Sequence, residues 1–339
     1  MRAGGLTAVA PESAEILEIP QPSRASLPLW LEAWYVVARS SDLRPGSVTH
    51  GALAGRPYVL FRTEQGALAA LDAHCPHMGA HLRHGQVIGE RLRCPLHHWS
   101  LDRDGGCRAP HAGPGSIGQR GRPWPVEERF GLVFLYPGDP LSSPPPQLPA
   151  PEAAERYAWT TGRPVALATD WHSMMVNGFD LTHLRSVHHR SLLEEPELIR
   201  RERTLELRYV SRVTPGGGLA DWVMKKGSGD HIRVRQVCHG PIIAVESDLS
   251  GGKGGKRTAA VLGLLPEGDR VRAFGAFGTQ RRGPLAPVEL FLARWLFLAF
   301  LRKDFAVVEG MRLRLEGVDD EGVQAIAAFL RSLPEVRHV

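Results

Sequence analysis

The chain has 339 residues, enough for two domains that each bury a core of their own. Its 41 Lys and Arg against 36 Asp and Glu leave a formal charge of +5, spread along the sequence without a basic block, which argues against a nucleic-acid-binding protein and for a solvated basic surface. The 4 cysteines are too few for a disulfide scaffold and fit a reducing, cytoplasmic setting, with Cys107 and Cys238 expected as small buried hydrophobes. At the N-terminus, Arg2 and the apolar residues after it are faintly like a signal peptide. Glycines break that run and Glu12, Glu15 and Glu18 follow, so it is expected to be an unstructured leader. From Trp34-Tyr35-Val36-Val37 to Val133-Phe134-Leu135-Tyr136, β-branched and aromatic runs alternate with Gly/Pro turns, predicting a small antiparallel β domain over 30–140. Pro137-Gly138-Asp139-Pro140 and Pro144-Pro145-Pro146 predict a stiff, extended linker. In a second domain over 155–339, residues 170–190 read as helix. Residues 203–280 read as strands separated by turns such as Pro215-Gly216-Gly217-Gly218, and 286–332 as two further helices. Strands followed by helices indicate an α+β domain with an antiparallel sheet.

The first domain carries two pairs of metal ligands, Cys75-Pro76-His77 and Cys94-Pro95-Leu96-His97. A [2Fe-2S] cluster with two thiolates on one iron and two imidazoles on the other needs two adjacent loops, each supplying one ligand of each type. Both loops do so, and a proline after each cysteine stiffens the tip.

The second domain has a motif of its own, Asn177-Gly178-Phe179-Asp180-Leu181-Thr182-His183, ending at His188. His183 and His188 are about one and a half helical turns apart, so a local irregularity is needed if both are to face one metal. Two histidines and a carboxylate form a facial triad that leaves iron(II) open positions. Candidates for the carboxylate are Asp304, Glu309, Glu316, Asp319 and Asp320. His74, His81, His84, His98, His172 and His189 match no ligand position and are expected to be structural. The run Gly251-Gly252-Lys253-Gly254-Gly255-Lys256 lacks the first Gly and the final Ser/Thr of a P-loop and reads as a loop between strands. No flavin or nicotinamide site is visible.

The stretch from His74 to Cys107 resembles the Rieske domain of Rieske non-haem iron oxygenases, and 177–188 resembles that family's N-x-x-D-x-x-H-x-x-x-x-H signature. Asp304-Phe305-Ala306-Val307-Val308-Glu309 fits the family's D-x-x-V-V-E, in which the Asp opens a helix. Lys303 stands where relatives often have an acid. The resemblance implies a Rieske domain followed by a helix-grip (START-like) catalytic domain. Cys75, His77, Cys94 and His97 would hold the [2Fe-2S] cluster, and His183, His188 and Asp304 a mononuclear Fe(II). Asp180 and Asn177 would act beside the iron, with Asp180 joining His97 of one subunit to His183 of the next in a head-to-tail homotrimer. Respiratory Rieske proteins have a disulfide where this chain has Ala80 and Leu96, so a potential near the low end of the Rieske range, about −150 mV, is expected. A separate NAD(P)H-dependent reductase or ferredoxin would supply electrons, with Arg83, Arg91, Arg93 and Arg103 as docking candidates. Together with O2 it would support monooxygenation of a hydrophobic molecule.

The Cys-Pro-His-Met-Gly-Ala and His-His-Trp details are similar to the steroid and sterol branch, which makes a sterol or steroid the leading substrate class. An aromatic monooxygenase or demethylase is the alternative within the family. An electron carrier and a non-catalytic lipid-binding protein are alternatives outside it. The apolar run 286–301 is too short and too charged to span a bilayer and is expected to be a buried helix. Its sharper reading is a pocket wall or a membrane-touching entrance.

Overall fold

The computed structural model describes residues 27–111, 119–138, 143–150, 157–228, 231–249, 257–280 and 284–336. The leader, the middle of the linker and the glycine-rich run at 251–256 lie outside the described residues.

Three small antiparallel sheets build the N-terminal part. Strands Val48–Leu53, Arg56–Arg62 and Leu68–Asp72 form a meander. A second sheet orders Tyr35–Arg39, Leu132–Leu135 and Val126–Arg129. Five short strands between Gln86 and Arg120 form the third; the loop with Cys94 and His97 joins two of them, and the loop with Cys75 and His77 leads into it from the meander. Cys75, Cys94 and Cys107 belong to a compact core with Val59, Phe61, Leu71, Leu82, Leu92 and Leu101.

The C-terminal part is one antiparallel sheet of nine strands, with the order Tyr157–Thr161, Arg270–Gln280, Arg257–Glu267, Ile242–Asp248, Ile232–Cys238, Leu205–Val213 and Arg190–Leu192; Val165–Leu167 and Glu197–Arg200 pair off this path. Its two longest strands run in register from Thr258↔Thr279 to Glu267↔Arg270. A two-residue loop joins them, with Gly268 at φ +64, a conformation that glycine adopts without steric cost.

Five α-helices are described: α1 (Trp171–Phe179), α2 (Leu181–Ser186), α3 (Leu219–Ser228), α4 (Ala286–Val308) and α5 (Glu321–Ser332). Asp170 caps α1 by accepting from Ser173 N at 2.7 Å, and Asp320 caps α5 by accepting from Val323 N at 3.0 Å. α5 buries Val323, Ile326, Phe329 and Leu330 against α1, and α4 packs on the sheet and on α1. A sheet folded over helices in this way is the helix-grip arrangement expected.

Four expectations need correction. α3 interrupts the span 203–280, which is not strands and turns alone. The helix expected over 170–190 ends at Ser186, and Arg190 opens a strand. Asp304 does not open a helix; it lies in the last turns of α4, and the helix begins at Ala286. Nor is 286–301 fully buried. Ala293 is buried, but Val288 and Phe291 are 63% and 72% exposed.

The two parts share a core. Val36 of the first lies so close to Gly263 of the large sheet that a Cβ on Gly263 would come within 2.2 Å of Val36 Cγ2. Residues 27–33 serve the second part: Leu31 and Ala33 join its core, Trp171 Nε1 donates to Leu29 O, and Leu31 bridges Glu335. Among the described residues, no helix is long and apolar enough to cross a membrane.

Candidate functional site

The two cluster loops are built alike although their ligand spacings differ. Cys75 N donates to Ala80 O at 2.9 Å and Cys94 N to Trp99 O at 2.7 Å. Gly79 N returns to Cys75 O at 2.8 Å and His98 N to Cys94 O at 3.2 Å. At the equivalent fourth position after each cysteine the backbone is left-handed, Gly79 at φ +75 and His98 at φ +59. Each loop is therefore a closed turn with its cysteine at the buried base and its histidine towards solvent. The His77 and His97 rings lie 4.9 Å apart, and His77 stacks on Trp99 at 4.4 Å, which fixes its plane. Burial raises the Cys75 thiol above the ordinary cysteine value, and Cys107 behind it is pushed up to about 12. Neither would ionise at neutral pH without a metal to hold the thiolate.

The four candidate docking arginines separate on geometry. Arg91 is occupied internally, donating to Asp102 Oδ2 and to the carbonyls of Ser100 and Gly106. Arg93 reaches Gln86, Arg103 pairs with Glu90 at 3.7 Å, and Arg83 is exposed. Met78 and Leu96, at the loop tips, are also exposed.

The second site is assembled by a helix break. Asp180 is both the C-cap of α1 and the N-cap of α2, and its Oδ1 accepts from Thr182 N at 2.9 Å and His183 N at 3.0 Å. The break lets Asn177, on the last turn of α1, and His183, on the first turn of α2, face the same point. Gly178 lets this end of α1 lie close to the sheet, since a Cβ there would come within 3.0 Å of Ile243 Cδ1. α2 ends at Ser186, so His188 lies beyond it, and this termination is the irregularity that the spacing of five requires.

His183, His188 and Asp304 converge, with one ligand atom from each within 4.8 Å of the others. His188 Nε2 lies 2.7 Å and His183 Nε2 3.3 Å from Asp304 Oδ1, which Asn177 Nδ2 also contacts at 3.0 Å. His188 is 1% exposed and Asp304 5%. Phe300 stacks on the His188 ring at 3.5 Å. His183 Nδ1 is 2.6 Å from the backbone carbonyl of Asp180, a contact that would keep the proton on this nitrogen and free Nε2 for a metal when one is bound. The orienting acceptor within the chain is thus the Asp180 carbonyl, whereas the expectation had given that part to its carboxylate.

Burial alone would raise the Asp304 carboxyl, but the hydrogen bonds of His183 and His188 outweigh it and hold the group below the usual carboxylate range. Burial pushes His188 down, towards the neutral imidazole that binds metals. The donor set, two imidazoles and an ionised carboxylate, fits an iron(II) that His183, His188 and Asp304 would hold. The other acids are placed elsewhere. Glu309 accepts from Ala168 N, Asp320 caps α5 and accepts from Thr182 Oγ1, and Glu316 and Asp319 are exposed. Lys303 donates to Asp221 of α3 at 2.7 Å, which neutralises the cation next to Asp304.

The triad lies against a cavity between the sheet, α1, α3 and α4, with about 1440 Å³ of atom-free space counting its open mouth. Met174, Leu184, Ile243, Phe277, Phe297 and Phe300 make its wall mainly apolar. Two lining residues, Arg190 and Tyr209, were not foreseen from sequence; Arg190, two residues past His188, was the nearer to being found. None of the six histidines expected to be structural joins a ligand group among the described residues; His172, for example, contacts Pro28 O at 2.8 Å.

Fold and geometry define a two-centre protein: a small β domain whose paired loops present two cysteines and two histidines, joined to a helix-grip domain with a histidine–carboxylate triad. The comparisons agree. Residues 33–119 match the Rieske [2Fe-2S] domain. The chain is 33% identical over 159 residues to a probable 3-ketosteroid-9-alpha-monooxygenase oxygenase component of Rhodococcus rhodochrous, a match covering 47% of this chain and 38% of that protein's length. To the 4beta-methylsterol monooxygenase of Methylococcus capsulatus it is 28% identical over 284 residues, covering 80% of this chain and 72% of the relative. The fold is shared with dicamba monooxygenase crystallised with non-heme iron and dicamba, at TM-score 0.64 and 21% identity over 88% of this chain and 95% of that one. The chain therefore contains a Rieske [2Fe-2S] domain, and over 80% of its length it is similar to a sterol monooxygenase.

Proposed function

We propose that the protein is the terminal oxygenase of a multicomponent monooxygenase, taking electrons from a separate reductase or ferredoxin and oxidising a hydrophobic substrate, with a sterol or steroid as the leading class. The observation that carries this reading is the convergence of His183, His188 and Asp304 on an apolar cavity in a chain that also has paired Cys/His loops. When bound, the cluster would supply one-electron transfer and the iron the activation of O2. In this reading Cys75, His77, Cys94 and His97 hold the cluster, and His183, His188 and Asp304 hold the iron. Asn177 fixes the Asp304 carboxylate, and Phe300 excludes water from one face of His188. The apolar wall desolvates and orients the substrate. A division into domains at 30–140 and 155–339 belongs to the same proposal: the cluster loops and the helix side of the large sheet each have a core of their own, a third core spans the seam between them, and residues 27–33 serve the second part.

A sterol or steroid is supported by the named activities of the relatives from Rhodococcus and Methylococcus and by the size and apolarity of the cavity. An electron carrier or a lipid-binding protein would leave the buried triad without a role. An extract-wide comparison of metabolites with and without the protein and a generic reductase tests the reading; a product gained by one oxygen atom is expected, and no new product from a fully iron-loaded protein overturns it.

A cytoplasmic location and a head-to-tail homotrimer, with Asp180 between His97 of one subunit and His183 of the next, belong to the same proposal. Co-assembly of a Cys94→Ala chain with a His183→Ala chain should then restore part of the activity, because some junctions pair an intact cluster with an intact iron site. No recovery in verified mixed trimers would show that electrons do not cross between subunits. Peripheral membrane contact at the cavity mouth is supported by exposed Leu219 and Trp222 on α3, with Lys225 and Lys226 after them, and by Leu285, Val288 and Phe291 on one side of α4. Binding to anionic vesicles that is lost in Trp222→Ser/Phe291→Ser would bear this out, and absence of binding by the wild type would exclude it.

A further inference from the structure

Arg190 is the residue of the cavity that the proposed chemistry does not use. It opens the strand Arg190–Leu192, opposite Val213 in register, just after His189 turns the chain out of the ligand segment at φ +52. Its side chain lines the cavity, the residue is 7% exposed, and Nη1 is buried without a hydrogen-bond partner. The acid on its side of the cavity, Asp221, is already held by Lys303 at 2.7 Å. Asp304, the other acid of the wall, is taken up by His183 and His188, so Nη1 of Arg190 is left unmet in a mainly apolar chamber. A buried guanidinium donor without a partner is costly and is retained where something else completes it. The five donors of a guanidinium form a planar fork that matches the two oxygens of a carboxylate. Tyr209 and Ser211, on the neighbouring strand, place hydroxyls on the same stretch of wall.

We infer that Arg190 is a specificity-determining residue that binds a carboxylate on an otherwise apolar substrate. The substrate class narrows from neutral sterols to apolar acids: a hydrophobic body fills the chamber between the sheet and α4, and its acid group pairs with Arg190. The guanidinium anchors the acid end, and the distance between the anchor and the triad selects which carbon of the body is presented to the iron site. This inference rests on the cavity being the substrate pocket of the proposed oxygenase. Its test is therefore one of binding, without reductase or turnover.

The full-length, iron-loaded protein is titrated with two matched pairs, a C24 steroid carboxylic acid and its methyl ester, and 1-naphthoic acid and its methyl ester. The wild type should bind at least one acid about tenfold or more tighter than its ester, as expected for a charge-assisted bidentate contact in a desolvated site. Arg190→Met should bring that ratio to about one while leaving ester affinity, iron content and the cluster signal unchanged. Arg190→Lys, with the charge but without the fork, should fall between them. Because Nη1 is buried without a partner in the fold, Arg190→Met should also keep or raise the thermal midpoint. Equal binding of acid and ester by the wild type, no binding of either acid, an acid preference that survives Arg190→Met, or a lowered midpoint in that variant would each overturn the assignment. A protein that shows the acid preference but never turns over would leave Arg190 as assigned and count against the oxygenase reading alone.

Discussion

Asn177 Nδ2 donates to Asp304 Oδ1 at 3.0 Å across 127 positions of sequence, joining the last turn of α1 to the last turns of α4 at the point where both imidazoles also meet that oxygen. The carboxylate is thereby held in one orientation. Its position near the C-terminal end of α4 is unfavourable for a negative charge, so the stabilisation must come from these neighbours and from a metal. Asn177→Ala is expected to weaken Fe(II) binding by roughly 10–100-fold, the usual cost of losing a group that orients a ligand. Titrating the apo-site with Fe(II) measures this, with the reduced cluster signal as internal control; unchanged affinity would show that Asn177 does not position Asp304.

His98 occupies the left-handed position that glycine fills in the companion loop at Gly79. A non-glycine residue there costs roughly 1–2 kcal/mol, partly offset by the smaller unfolded-state entropy of a residue with a side chain. His98→Gly should leave stability unchanged or raise it by up to about 1 kcal/mol, whereas His98→Val should lower it. Urea midpoints of the cluster-loaded protein would show this order, and a stable valine variant would contradict the equivalence of the two loops.

Cys107 packs behind Cys75 and Cys94 in the same core. If it fills space without binding iron, Cys107→Ala should cost about 1–2 kcal/mol of stability and leave the Rieske-type EPR signal unaltered. Loss of the signal would make it part of the cluster site.

Glu206 lies buried under three guanidinium groups, Arg208 at 2.7 Å, Arg235 at 2.9 Å and Arg201 at 3.2 Å. Burial by itself would raise its carboxyl, but the hydrogen bonds from Arg208 and Arg235 outweigh it and hold the group below the usual range. A depressed folded value means that the stabilisation is fully present above the unfolded value, about 4.3, and disappears as pH falls through the folded one. Glu206→Gln should therefore lower the urea midpoint at pH 7, by an amount equivalent to about 1–2 kcal/mol because all three arginines are partly exposed. The gap to wild type should close as the pH drops below about 4. A gap of constant size across that range would mean that the glutamate acts through shape and not charge.

How much of this was legible in the sequence follows from how local each feature is. The cluster loops repeat one short turn, so the pairing of Cys75 and His77 with Cys94 and His97 was visible in their spacing, and the structure brings the two histidine rings to 4.9 Å. The segment from Asn177 to His188 was legible for the same reason, and the demand for an irregularity between His183 and His188 was answered by the end of α2. Asp304 needed a pattern 116 positions beyond His188, and its place in α4 was misjudged because that helix starts at Ala286. α3 was hidden by the glycine run before it, although Leu219, Trp222 and Val223 followed by Lys225 and Lys226 carry a helical spacing and a basic last turn. Arg190 could not be found, since its burial and missing partner result from how the sheet closes over α4.

The central claim is that one chain holds two different iron sites, and iron counted per chain alongside EPR of the reduced protein tests it most directly. The account predicts about three irons in the wild type. Asp304→Ala should retain about two, with an unchanged Rieske-type signal and no product, and Cys94→Ala should lose the signal while still binding one iron at the triad. An Asp304→Ala protein that kept the third iron and its turnover would contradict the account, as would a wild-type cluster with an all-cysteine signal.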